Sequence, residues 1–181
     1  MVAIPTDGAN SIDRDFGARL SSRGRGRWMV RLSALLATVA ALCPAPAYAQ
    51  KAKIDDLTDL SFGTITNLTS DARMSESICV FSQTDNYNVR ATGSGTGGLF
   101  TLSNGAATLA YEVQWSASSG QTTGTILSPN NALTGQTSTA NNQNCNQGPT
   151  ASLIVVLRSA ALSSATAGSY TGTLTLVVAP E

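Results

Sequence analysis

The side chains able to do chemistry in this 181-residue sequence are few, and their spacing restricts what they could do. There is no histidine, so the commonest general base and metal ligand is missing. Serine and threonine are plentiful, yet no lysine stands where it would activate a nucleophilic hydroxyl. Asp55, Asp56 and Asp59 cluster, but the glycine and closing glutamate of a calcium loop are absent, and the cluster reads as a solvated acidic segment. "GSGTGG" (93–98) meets the glycine spacing of a dinucleotide fingerprint. That site needs a helix after the glycines to receive the pyrophosphate, whereas the following "LFTLS" reads as a strand; a tight glycine hairpin is expected. Trp115 and Tyr111 could line a sugar platform, but their alternation with Leu109 and Val113 favours core packing. The sequence thus argues against an enzyme: no catalytic residue, cofactor, metal or small-molecule substrate is expected.

The cysteines carry the remaining chemistry, and the compartment decides what it is. Arg23, Arg25, Arg27 and Arg31 precede an apolar run from Leu32 to Leu42, then "PAPAYAQ" places Ala47 and Ala49 at the small-residue positions of a cleavage site. This is the pattern of a secretory signal peptide over residues 1–49, too short to span a bilayer. "MVRLSALL" reads as a natural beginning, so the true start is expected at Met29. Cys43 follows the bulky Leu42, which disfavours lipid attachment. Cleavage after Ala49 leaves Cys79 and Cys145, which permit one intramolecular pairing; in an exported protein a disulfide is expected. Residues 50–181 carry five basic and eight acidic side chains, a net charge of −3. Such a surface has no electrostatic footprint for nucleic acid or an anionic membrane.

The elements that must position these residues are short alternating runs divided by turns. "LSFGTIT" (60–66) is expected as a first strand and "ESICVFS" (76–82) as a second, before the turn "QTDN". "YNVRATG" (87–93), "GLFTLS" (98–103), "TLAYEVQW" (108–115) and the weaker "TGTIL" (123–127) follow. "ASLIVVLR" (151–158) is apolar on both faces, as for the middle of a sheet. Residues 116–150 carry no charged side chain and are either a long decorated loop or a weak strand pair between loops, pinned by Cys145. In the last run, Tyr170, Gly172, Leu174, Leu176 and Val178 share one face and Thr171, Thr173 and Thr175 the other. Period two and turn spacing predict an all-β sandwich. The clearest strand stands last, and a regular apolar edge is a hazard unless something covers it.

Laid out in this way, "LSFGTI", "SICVFSQTDNYNVRATGSG", "FTL", "LAYEVQW" and "AGSYTGTLTLVV" resemble the spore coat protein U domain family, which includes subunits of archaic (Csu-type) chaperone–usher pili. The resemblance covers most of residues 60–179 and leaves 116–150 as a variable insert. It implies an immunoglobulin-like β-sandwich that lacks its final strand. A periplasmic chaperone would lend a strand, and the N-terminal extension of another pilus subunit would replace it at the outer-membrane usher. Tyr170, Leu174, Leu176 and Val178 would then border an acceptor groove, and the protein would pass through the periplasm to a cell-surface fimbrium.

One departure from that pattern matters. Only residues 50–59, "QKAKIDDLTD", precede "LSFG" as an extension ahead of the 60–181 domain. Ala52, Ile54 and Leu57 do not share one face, and Asp55 and Asp56 interrupt the apolar register, so this is a weak donor segment. A subunit that accepts but does not donate would sit at the tip or be a minor component. The alternative is a self-contained secreted β-sandwich that binds a glycan or surface partner through 116–150.

Overall fold

The computed structural model describes residues 50–181; the expected signal peptide and the start at Met29 lie outside the described residues. In chain order the elements are β1 (Ala52–Asp55), β2 (Ala72–Ser82), β3 (Asn86–Gly93), β4 (Thr101–Asn104), β5 (Ala107–Ala110), β6 (Glu112–Ser116), β7 (Thr125–Ile126), β8 (Ala132–Thr137), β9 (Ala151–Leu157), α1 (Ser159–Ser164) and β10 (Leu174–Pro180). One sheet runs β1-β2-β9-β6-β7 and the other β10-β3-β8, while β4 and β5 form a separate hairpin. Every pairing is antiparallel. The fold is an all-β sandwich.

Period two builds the core from both sheets. Ile78 and Val80 of β2, Val113 and Trp115 of β6, and Leu153, Val155 and Leu157 of β9 meet Tyr87, Val89 and Ala91 of β3. The β9 strand lies between β2 and β6, and each of its residues is buried, including Ser152, whose hydroxyl donates to the Ser118 carbonyl and accepts from the Gln121 N–H in the loop after β6. Trp115 is 1% exposed, and its indole N–H donates to the Tyr87 hydroxyl at 3.1 Å. Burial pushes that hydroxyl up to about 12, so it stays neutral and available as the acceptor. Position for position, β1-β2-β9-β6 and β10-β3 match strands A-B-E-D and F-C of an immunoglobulin sandwich.

Several elements depart from the sequence expectation. Residues 60–66 are not a strand: among the described residues their main chain has no ladder partner. The first strand is instead β1, drawn from residues 50–59, and it pairs Ala52–Asp55 with Ser82–Cys79. The run 108–115 is divided at Tyr111, whose N–H turns to the Phe100 carbonyl. Residues 116–150 contain β7 and β8 between loops. Within β8, Gly135 at φ 69° supplies the extra residue of a bulge opposite β3. The glycine run 93–98 ends in a single 3₁₀ turn, Thr96–Gly98, closed by a Gly98 N–H bond to the Gly95 carbonyl at 2.9 Å.

Arg158, just after β9, ties three strand ends together. It donates to Asp71 Oδ2 at 2.7 Å and to Glu112 Oε1 at 2.6 Å, and Asp71 Oδ1 accepts the Ser159 N–H that opens α1. The bonds from Ser159 and Arg158 hold the Asp71 carboxyl below its ordinary range. For Glu112, burial acts upward but is outweighed by hydrogen bonds from Arg158 and Gln114, leaving it lowered. Carboxyls lowered in the fold stabilise it above the ordinary carboxylate range, and that contribution is lost as pH falls through the lowered values. Arg158→Leu should therefore melt below wild type at pH 7, with the gap closing as pH drops through the carboxylate range. A gap that stays constant in thermal melts from pH 7 to pH 3 would contradict this.

Candidate functional site

Between the two sheets, on the side where β1 and β10 are the edge strands, lies a cavity of about 1310 Å³. Its floor is aliphatic: Leu153, Val155 and Leu157 of β9, Leu109 of β5, and Leu162 of α1. One wall is β10 with the segment leading into it, presenting Tyr170, Leu174 and Leu176. The opposite wall is the segment after β1, with Leu57, Leu60, Phe62, Ile65 and Leu68. Leu57 and Leu68 remain 44% and 42% exposed, so the apolar lining continues to the surface.

The main chain along this opening is unpaired on both walls. Glu181 N–H bonds the Asn86 carbonyl at 3.1 Å, which fixes the phase of the β10–β3 ladder. Alternation then turns the main-chain groups of Thr175, Val177 and Ala179 toward β3 and those of Leu174, Leu176 and Val178 toward the opening. Among the described residues, no main-chain partner meets that second edge. Pro180, without an N–H, ends the run of donors. On the other wall, residues 59–66 likewise lack main-chain partners among the described residues. An apolar slot flanked by two open main-chain edges has the chemistry of a missing strand: hydrogen bonds at its sides and alternate side chains in its floor.

The sequence-predicted residues are distributed unevenly over this site. Tyr170, Leu174 and Leu176 line the cavity. Val178 is on the same inward face of β10 but packs into the central core and is not part of the lining. Ala52 and Ile54, expected in a donor segment, are in β1 and pair with Ser82 and Val80, and Ile54 packs on the core. Only Leu57 of that set reaches the cavity. Cys79 and Cys145 are bonded, with 5.8 Å between their Cα atoms. Asp55 is held by Lys53 at 2.6 Å, and this hydrogen bond is the main cause of its lowered pKa. Among the described residues no group of three His, Cys, Asp or Glu side chains could hold a metal. Trp115 and Tyr111 are both buried, which removes the aromatic platform a sugar would need.

Other cavity residues escaped the sequence reading. Leu153, Val155, Leu157 and Leu162 read only as core, because apolar runs do not reveal which part of a core is left uncovered. Glu76, which is not in the lining but pairs cross-strand with Leu153 of the floor, also went unnoticed: its period-two relation to Ile78 and Val80 places a carboxylate on an inward face, and that was a usable signal.

No protein-family model matches the chain, and no curated protein matches it. Among solved structures it is similar to one described as "Chaperone-tip adhesin complex is vital for synergistic activation of CFA/I fimbriae biogenesis", with a TM-score of 0.48 and 15% identity. The likeness covers 74% of this chain and 42% of that one, so the chain spans less than half of the neighbour's length.

Proposed function

We propose that this chain is an exported structural subunit of a pilus or fimbria-type surface assembly, whose sandwich is completed by a strand from another protein. The observation that carries this reading is the open edge of β10 beside an aliphatic cavity of about 1310 Å³. The cavity corresponds to strand G of an immunoglobulin sandwich, the neighbour of strand F. A strand laid there would bond to Leu174, Leu176 and Val178 on one side and face residues 59–66 on the other. The family resemblance of "SICVFSQTDNYNVRATGSG" and "AGSYTGTLTLVV" supports the same reading, with a periplasmic chaperone, a usher and other pilus subunits as partners.

Accepting a strand and donating one are separate capacities. The residues that would serve as donor, Ala52–Asp55, are already committed to β1 and pair with β2. Donation would require breaking that ladder and withdrawing Ile54 from the core. The subunit therefore accepts a strand better than it gives one, which suits a fibre tip or a minor component.

The test is strand uptake. Exported chain, refolded with its disulfide intact, should bind a twelve-residue synthetic peptide alternating isoleucine or valine with threonine. The complex should be monomeric and should melt higher than the chain alone, while a peptide of residues 50–62 should not bind. Failure of every alternating apolar peptide to bind a soluble, high-melting monomer would refute the strand-acceptor reading. Efficient self-polymerisation of the chain would refute its inability to donate.

A further inference from the structure

The wall formed by residues 59–66 raises a question of its own, because these residues have a strand-competent sequence and an available strand edge nearby. In the β1–β2 ladder Ala52 pairs with Ser82 and Asp55 with Cys79, and counting on in that register brings Thr58 opposite Glu76. Further counting would lay Leu60 and Phe62 opposite Met74 and Ala72. On that side of β2 the main chain of residues 72–77 has no ladder partner among the described residues. An alternating segment beside an open edge should extend the ladder unless something diverts it.

The diversion occurs at Thr58. Asp56 turns the chain with φ 64°, and the Thr58 N–H then donates to Glu76 Oε1 at 2.8 Å, where the Thr58 hydroxyl also donates at 2.5 Å. The Gln83 N–H bond to the Lys51 carbonyl at 2.9 Å fixes the β1–β2 phase, and in that phase a continued ladder would turn the Thr58 N–H away from β2; the two bonds to Glu76 therefore hold Thr58 rotated out of the register. Glu76 is on the inward face of β2, cross-strand from Leu153 in the cavity floor. Its second oxygen, Oε2, is buried without a hydrogen-bond partner, the one such side-chain atom among the described residues. A buried carboxylate oxygen left unpaired is unfavourable, and an aliphatic residue at this inward position would avoid it.

We propose that Glu76 is a positioning residue for the groove: by capturing Thr58 it keeps residues 59–66 off the β2 edge and holds them as the second, unpaired wall. Its consequence for strand uptake rests on the strand-acceptor reading above, but the diversion itself does not. Hydrogen–deuterium exchange on the refolded full exported chain separates the two. In wild type the amides of residues 59–66 should exchange at least tenfold faster than those of β9. In Glu76→Val the amides of Asp59 and Ser61, which the continued register turns toward β2, should become protected without any peptide, and uptake of the alternating isoleucine–threonine peptide should fall at least tenfold. Glu76→Gln keeps an acceptor for Thr58 and should stay near wild type in both measurements. Should Glu76→Val fail to fold, Thr58→Val, which removes one of the two bonds, should show partial protection of the same amides. Unchanged fast exchange at Asp59 and Ser61 in the folded valine variants would overturn the proposal. Wild type that binds no peptide, while Glu76→Val still protects Asp59 and Ser61, would leave the latch standing and remove only the strand-acceptor reading.

Discussion

Leu176→Asp is expected to weaken uptake of a strand peptide by about a hundredfold or more, whereas Val177→Asp should change it only slightly. The two residues are neighbours in β10, and the contrast comes entirely from the period of two. Leu176 is inward, packs against the core and lines the cavity, while Val177 is outward and 44% exposed. An inserted strand would bury Leu176 against its own side chains, a contact worth roughly 1.5–3 kcal/mol for an aliphatic residue. Aspartate forfeits that contact and adds the desolvation of an unpaired carboxylate, about 1–3 kcal/mol more on protein-based scales. Together these come to about 2.5–6 kcal/mol, a range lying mostly above the roughly 2.8 kcal/mol that corresponds to a hundredfold change in affinity. Both variants keep the β10–β3 main-chain ladder, which does not depend on side-chain identity. Fluorescence titration with the alternating peptide would measure the difference. Equal loss in both variants would mean that β10 had come apart and that the groove was not being probed.

The outcome at β10 was legible in the sequence because Leu174, Leu176 and Val178 alternate with polar or outward residues in a run long enough to fix their face. The same holds for Tyr87, Val89 and Ala91, whose alternation matches their burial; in β6 Val113 and Trp115 are buried as their spacing predicts, but Gln114 between them is buried as well. The two errors at the N-terminal side have a shared cause. "AKID" has little strand character of its own and becomes β1 through its ladder with Cys79–Ser82. "LSFGTIT" has strong strand character but no ladder, because the chain has already left β2 at Thr58. Local pattern reports what a segment can do; pairing depends on which edge is within reach. The charge-free stretch 116–150 was ambiguous for a similar reason: β8 has only Leu133 packing on the core, so its pairing with β3 leaves little trace in hydrophobicity.

Loss of the disulfide is the second large effect, and its size should depend on whether the groove is filled. Cys79 is fully buried in β2, and Cys145 lies beyond β8, at a sequence separation of 66. Closing a loop of that length stabilises the fold by about 4 kcal/mol in the chain-entropy model, against a total of roughly 5–15 kcal/mol for a typical domain. The loop it anchors has few apolar contacts. Ala140 and the two cysteines form a small cluster with Phe81. Where β9 has ended, loop hydroxyls take its place along β2: the Val80 carbonyl accepts from Ser138 Oγ at 2.6 Å and Thr150 Oγ1 at 3.0 Å, and the Val80 N–H donates to Thr150 Oγ1 at 3.0 Å. Without the Cys79–Cys145 bond nothing covalent holds those hydroxyls against Val80, and buried main-chain groups lose their partners when the loop opens. A domain with an unfilled groove has the least stability to spare. Cys145→Ser should therefore fail to accumulate as soluble exported chain on its own, and should be recovered when co-expressed with a bound strand, whether a chaperone's or a tethered alternating peptide. Mass spectrometry of the unreduced wild type should show Cys79 joined to Cys145 with no alkylatable thiol. If Cys145→Ser accumulated and melted like wild type with the groove empty, the loop would be held by its hydroxyls alone. Recovery by a strand that does not enter the groove would break the proposed link between the disulfide and the open edge.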